Sequence, residues 1–218
     1  MKIRFIYYGA GYNRKDENIT AYLGYRPPYR WNEILTFFKE RSIPGIDLVR
    51  DHAYWRTVHM GRINKEPVSR WVKISNCAVK NALSITICET LAPVLPQVLG
   101  RIKNMFDLSC EPEIVYNSLS SMNDICPGLC VLGTRMPGCF DPFETSVRAV
   151  LSQQITVKAV NTLAGRMVQS FGRPVQTQVD GLTHIFGSWT AQYIAMRTMA
   201  WPDAFLEMDV GIKKALPG

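Results

Sequence analysis

Long apolar runs are missing from this chain. Nowhere does it hold the roughly eighteen uninterrupted apolar residues that a membrane-crossing helix requires, so no spanning helix is predicted. The opening stretch, MKIRFIYYGAGYNRKDEN, has only a short apolar run, which Arg4 interrupts, and no small-residue cleavage site closes it. It does not read as a secretory leader, and the cytoplasm is the expected location. Internal repeats and low-complexity tracts are also missing, which argues against repeat architectures and biased, unfolded segments. Metal-type cysteine spacing is absent too. Of the six cysteines (Cys77, Cys88, Cys110, Cys126, Cys130 and Cys139) only the last three cluster. Their spacing is not C-x-x-C and no histidine pair stands nearby, so they read as structural thiols, with neither a zinc site nor a disulfide.

What is present is ordinary globular composition. The chain has 218 residues, 47% hydrophobic and 20% charged. That suffices for one large domain or two small ones. The formal net charge is +7 and the isoelectric point about 9.2. A basic balance suits a polyanion, but many soluble proteins are mildly basic, and the clustering on one face that marks a nucleic-acid binder is not visible in sequence.

The first half alternates strand and helix signals. Residues 2–8 (KIRFIYY) are β-branched and aromatic and read as a strand. Pro27-Pro28 interrupts regular structure. A helix is predicted from Trp31, with Trp31, Ile34, Leu35, Phe37 and Phe38 on one broad apolar face, ended by Pro44-Gly45. Three strand-like runs follow, His52–Met60, Val68–Cys77 and Ala82–Cys88, joined by short turns, which predicts an antiparallel sheet. After Pro93 the pattern turns helical: 96–105, 111–119, 143–153, 157–171 and 190–199. The expected division is an N-terminal α+β domain over residues 1–92 and an all-helical domain over 93–218.

Three stretches carry a family resemblance. Tyr25-Arg-Pro-Pro-Tyr-Arg-Trp31, with the helix that follows, is similar to the opening of the N-terminal domain in AlkA-type enzymes. Residues 135–168, RMPGCFDPFETSVRAVLSQQITVKAVNTLAGRMV, resemble that family's DNA-facing helices. Residues 189–216, from WTAQYIAMR to the loop FLEMDVGIKKAL, resemble the end of a helix-hairpin-helix and the aspartate-bearing loop beyond it. The chain thus resembles the helix-hairpin-helix DNA glycosylases of the 3-methyladenine glycosylase II (AlkA) type. It departs from them between Phe186 and Gly187. There the helices and hairpin that precede a final glycine are missing, and Gly187 matches that last hairpin glycine. The family's closing helices, beyond Leu216, are also missing.

The resemblance implies base excision from DNA. Such an enzyme flips the damaged nucleotide out of the stack and hydrolyses its N-glycosidic bond through an oxocarbenium-like sugar. Asp209 is the implied catalytic carboxylate; read locally, it equally suits a cap for a helix beginning at Val210. Trp189 and Tyr193, four residues apart, are implied to hold a cationic alkylated purine by stacking and cation–π contact. Core aromatics would show the same spacing. Ser152, Gln153 and Gln154 match the turn that enters the minor groove, with Gln154 as the wedge; Arg148 and Lys158 flank it, as phosphate contacts or as solvated helix residues. Trp189 stands where strand-cleaving relatives hold a Schiff-base lysine, which implies a monofunctional hydrolase. The implied partner is double-stranded DNA with damaged bases, bound by a monomer in a bacterial cytoplasm at the nucleoid, with no organic cofactor and no metal. Two rivals stay open. One is a truncated, inactive DNA-binding remnant, favoured by the missing hairpin, whose backbone N–H groups would bind a phosphate. The other is a glycosylase for another base, such as uracil or an oxidised purine.

Overall fold

A computed structural model of the chain describes residues 18–63, 66–153 and 155–185. The predicted strand at 2–8 and helix at 190–199 lie outside these residues, as do Gln154, Gly187, Trp189, Tyr193 and Asp209.

The centre of the fold is a five-stranded antiparallel sheet, order β1-β5-β4-β3-β2. Its strands are β1 (Asn18–Gly24), β2 (Asp47–Arg50), β3 (Ala53–Ile63), β4 (Glu66–Cys77) and β5 (Ala82–Cys88). The three long runs were legible because Val72 and Ile74 alternate with Trp71, Lys73 and Ser75 on one strand, and Leu83, Ile85 and Ile87 with Ser84 and Thr86 on the next. The register places Val72 opposite Ile87 and Ile74 opposite Ile85, all fully buried. Two strands were not expected. In β1, Ile19, Ala21 and Leu23 pair with Ile87, Ile85 and Leu83, adding a short edge of moderate hydrophobicity. Only four residues long, β2 pairs with the first half of β3.

Helix α1 (Trp31–Glu40) buries the predicted stripe of Trp31, Ile34, Leu35 and Phe38, while Phe37 is half-buried. An aromatic group fixes it to the sheet. Phe38 lies 4.8 Å from Tyr54 and 5.0 Å from Phe106, and Trp31 stacks on Phe106 at 5.8 Å. The Trp31 indole N–H donates to the His52 carbonyl at 3.2 Å, so its polar end is satisfied. Helix α2 (Leu95–Met105) brings Val98, Leu99, Ile102 and Met105 into this same core. The change of pattern at Pro93 therefore marks the end of the sheet, while the packing of the sheet's core continues through Phe106, Leu108 and Phe140.

Beyond it come α3 (Pro112–Leu119), a single turn α4 (Met122–Ile125), α5 (Pro142–Leu151) and α6 (Val157–Phe171). The predicted helices at 111–119, 143–153 and 157–171 match α3, α5 and α6 to within two residues. The expectation of an all-helical second half needs one correction. After α6 the chain forms a minimal antiparallel pair, β6 (Arg173–Pro174) with β7 (His184–Ile185). Gly172, Pro174 and Gly181 deny this stretch a helix, and Thr57 on β3 donates a 2.7 Å hydrogen bond to the His184 carbonyl, docking it on the sheet. No helix among the described residues is long and apolar enough to cross a membrane.

Candidate nucleic-acid interface

Helices α5 and α6 and the turn between them carry the described part of the predicted DNA-facing segment. Local sequence sets the start of each helix. Asp141 caps α5, its carboxylate accepting from the Phe143 and Glu144 N–H groups at 2.9 and 3.1 Å, with Pro142 in the first turn. Thr156 caps α6, its hydroxyl accepting from Ala159 N–H at 3.3 Å. Between them, Ser152 and Gln153 are exposed; the Ser152 N–H closes the last turn of α5 on the Arg148 carbonyl at 2.9 Å. Ile155 is 39% exposed beside them. Both predicted turn residues that fall in the described chain therefore stand at the surface, on the connection between two helices.

The two helices dock on residues 41–46, the link between α1 and β2. Ala164 and Val168 of α6 pack with Ile43 and Ile46, and Leu151 of α5 lies against them. The Asn161 amide donates to the Glu40 carbonyl at 2.7 Å. Gly165 lies so close to Pro44 that a Cβ there would come within 3.3 Å of its ring. Parts of both helices are bare: Val150 is 68% exposed and Leu163 41%.

Arg148, which flanks the turn and was open to reading as a phosphate contact or as a solvated helix residue, has its guanidinium among Glu144, Asp47 and the Arg41 carbonyl. Its guanidinium donates to Glu144 at 3.2 Å, lies 3.7 Å from Asp47, and donates to the Arg41 carbonyl. Glu144 in turn takes a 2.7 Å hydrogen bond from Arg56 on β3, with both side chains under 10% exposed. Asp47 accepts from the Ile43 N–H at 2.6 Å and the Tyr54 hydroxyl at 2.8 Å. The Arg56 guanidinium also covers the Phe140 ring at 4.3 Å and donates through Nε to the Thr57 carbonyl at 3.2 Å. The sequence reading singled out none of Asp47, Arg56 or Glu144. A signal for one link exists, because Glu144 and Arg148 are four apart on a predicted helix. Nothing local connects them to Asp47 and Arg56, some ninety residues away in the chain (88 between Arg56 and Glu144).

The two carboxylates respond differently to this setting. For Asp47, burial dominates and pushes the carboxyl up to about 6; Arg148 opposes, and the negative charge of Glu144 adds to the rise. For Glu144, burial acts in the same sense, yet Arg56 and Arg148 together overcome it and hold the carboxyl below its ordinary value. Geometry explains the contrast. Glu144 has guanidinium contacts at 2.7 and 3.2 Å, while Asp47 is held mainly by a neutral hydroxyl and an amide, with Arg148 at 3.7 Å. A raised carboxyl binds its proton more tightly in the folded state, so ionising Asp47 costs stability as pH rises from about 4 towards about 6. Glu144 works in the opposite sense, stabilising above its unfolded value and losing that contribution only in more acid solution. Asp47→Asn should therefore gain in Tm relative to wild type as pH rises from about 4 to about 6; parallel Tm curves for the two over that range would contradict this assignment.

Among the described residues, no group of three His, Cys, Asp or Glu side chains is arranged to hold a metal ion, and all six cysteines are free thiols, Cys126 exposed. Asp209, Trp189, Tyr193 and Gly187 lie outside the described residues, so the structure brings none of the implied chemical groups together.

Comparison with known proteins gives this framework a lineage. DNA-3-methyladenine glycosylase 2 of Escherichia coli (strain K12) is 26% identical over 254 residues, taking in 90% of this chain and 86% of the relative. Those 254 positions exceed the 218 residues of the chain, so the match runs across internal positions that this chain leaves empty. The probable bifunctional transcriptional activator/DNA repair enzyme AlkA of Mycobacterium tuberculosis (strain H37Rv) is 25% identical over 255 residues; the match takes in 90% of this chain and half of that longer protein. A solved 3-methyladenine DNA-glycosylase from Archaeoglobus fulgidus shares the fold at a TM-score of 0.54 and 18% identity, over 80% of this chain and 58% of that one. Residues 20–141, which hold the sheet, α1, α2 and the approach to α5, match the AlkA N-terminal domain, and the chain belongs to that family.

Proposed function

We propose that the chain is a DNA base-excision glycosylase that removes alkylated purines, leaving an abasic site. The match to the Escherichia coli glycosylase across 90% of the chain and 86% of that relative carries this reading. The exposed α5–α6 turn, braced from behind by a docked hairpin of helices, supports it. A turn that enters the minor groove has to protrude and resist being pushed back.

In this reading Ser152, Gln153 and Gln154 meet the groove, and Gln154 plugs the gap left by the flipped nucleotide. Trp189 and Tyr193 receive the base, and Gly187 ends what the chain keeps of the hairpin. Arg148 acts from behind the turn through its carboxylates, in place of a phosphate contact. Asp209 stabilises the sugar cation and orients water for its capture. A cationic alkylated purine is already a good leaving group, so a stacking pocket gains selectivity through charge. The segment after α6 belongs with a helical glycosylase domain, and the protein acts on duplex DNA as a monomer beside the bacterial chromosome.

Duplexes carrying an alkylated purine, uracil or an oxidised guanine separate the possibilities. Alkali-labile sites should form only with the alkylated purine, and borohydride should trap no covalent adduct, because Trp189 supplies no amine. Cleavage of the uracil or oxidised substrate alone would favour another base. No abasic product on any duplex would favour a binding remnant.

A further inference from the structure

We infer that Arg56 and Glu144 form a positioning pair through which the sheet fixes the α5–α6 turn; the value of that turn to DNA rests on the function proposed above. Glu144 and Arg148 stand one turn apart on the side of α5 that faces the sheet, and Ser152, one turn further on, is exposed at the start of the turn. Arg56 grips the first at 2.7 Å. Glu144 passes the hold to Arg148 at 3.2 Å, and the Arg148 carbonyl takes the Ser152 N–H at 2.9 Å. The chain of contacts thus begins on β3 and ends at the first residue of the turn.

Burial gives the hold its stiffness. Arg56 and Glu144 are 4% and 8% exposed, and Arg56 is itself fixed by the Thr57 carbonyl and the Phe140 ring. A charged pair removed from water keeps its geometry because every alternative leaves a charge uncompensated. Hydrophobic residues would pack α5 against the sheet as well, but they slide. A hydrogen-bonded pair with two fixed ends specifies one register. Asp47 at the start of β2 and Tyr54 on β3 complete the brace, next to the α1–β2 link on which α6 rests. A turn used as a wedge needs this kind of support behind it, since pushing into stacked bases pushes back on the helix.

Glu144→Gln tests the pair, with Val98→Ala on α2 as a control that lowers stability away from α5. The intact chain is followed by amide hydrogen exchange and by affinity for a duplex holding a tetrahydrofuran abasic-site analogue. Both are measured where each variant is folded. The expected result is exchange at the Ser152 and Gln153 amides about tenfold faster in Glu144→Gln, and affinity for the duplex about tenfold lower, with neither change in Val98→Ala. If Glu144→Gln does not fold, Arg56→Lys keeps a cation beside Glu144 while losing the second donor, and should shift both readouts in the same direction by less. Unchanged exchange at those amides, or changed exchange with wild-type affinity, overturns the inference. If exchange responds but wild-type protein itself ignores the duplex, the positioning stands and the proposed function fails.

Discussion

Arg56→Ala is expected to lower the free energy of unfolding by about 3–5 kcal/mol, the range for breaking a buried ion pair by removing one partner. The size comes from what is left behind. Glu144 stays buried at 8% exposure with one remaining cation, Arg148, at 3.2 Å, and Phe140 loses the guanidinium over its ring. Typical domains are stable by only about 5–15 kcal/mol, so the loss should show as a large drop in the urea midpoint. The double substitution Arg56→Met/Glu144→Leu separates charge from packing. Because the pair costs desolvation as well as gaining attraction, replacing both partners with apolar groups should recover most of the stability. A loss below about 1 kcal/mol for Arg56→Ala would mean the pair is effectively solvated and would remove the ground for its bracing role.

Asp209→Asn is the second large effect, expected in chemistry and not in folding. Asparagine keeps the shape and the capacity to cap a following helix, so the local reading of Asp209 as a cap predicts almost no change in activity. A carboxylate facing a developing sugar cation predicts a loss of about 100- to 1,000-fold in the rate of base release, the scale found when a preorganised electrostatic partner is removed. The two readings differ in one assay, single-turnover release with lesion DNA saturated by enzyme, so that weakened binding does not imitate lost chemistry.

The sheet and its helices were largely legible. Alternation exposed three strands because each is long and buries one face, and α1 announced itself through Trp31, Ile34, Leu35 and Phe38 at helical spacing. What periodicity could not supply was partnership. β2 is too short to show a period. Val150 and Leu163 lie on amphipathic helices but stay exposed, and spacing alone does not show which face of a helix finds a partner. Arg148 shows the limit most clearly. On a helix wheel it is a cation beside a DNA-facing turn; in the fold it answers Glu144 and Asp47, and only the packing of α5 on the loop before β2 could reveal that. Ser152 and Gln153 were placed on a turn by resemblance, and the helices on either side bear out the turn but not the contact with DNA.

Bases liberated from methylated DNA by the purified 218-residue chain, its intact mass first checked against 24.7 kDa, give the most direct test. The account predicts free 3-methyladenine from wild-type protein and almost none from Asp209→Asn folded to the same extent. A chain of the correct mass that folds yet frees no base, or frees it equally well without the Asp209 carboxylate, would contradict it.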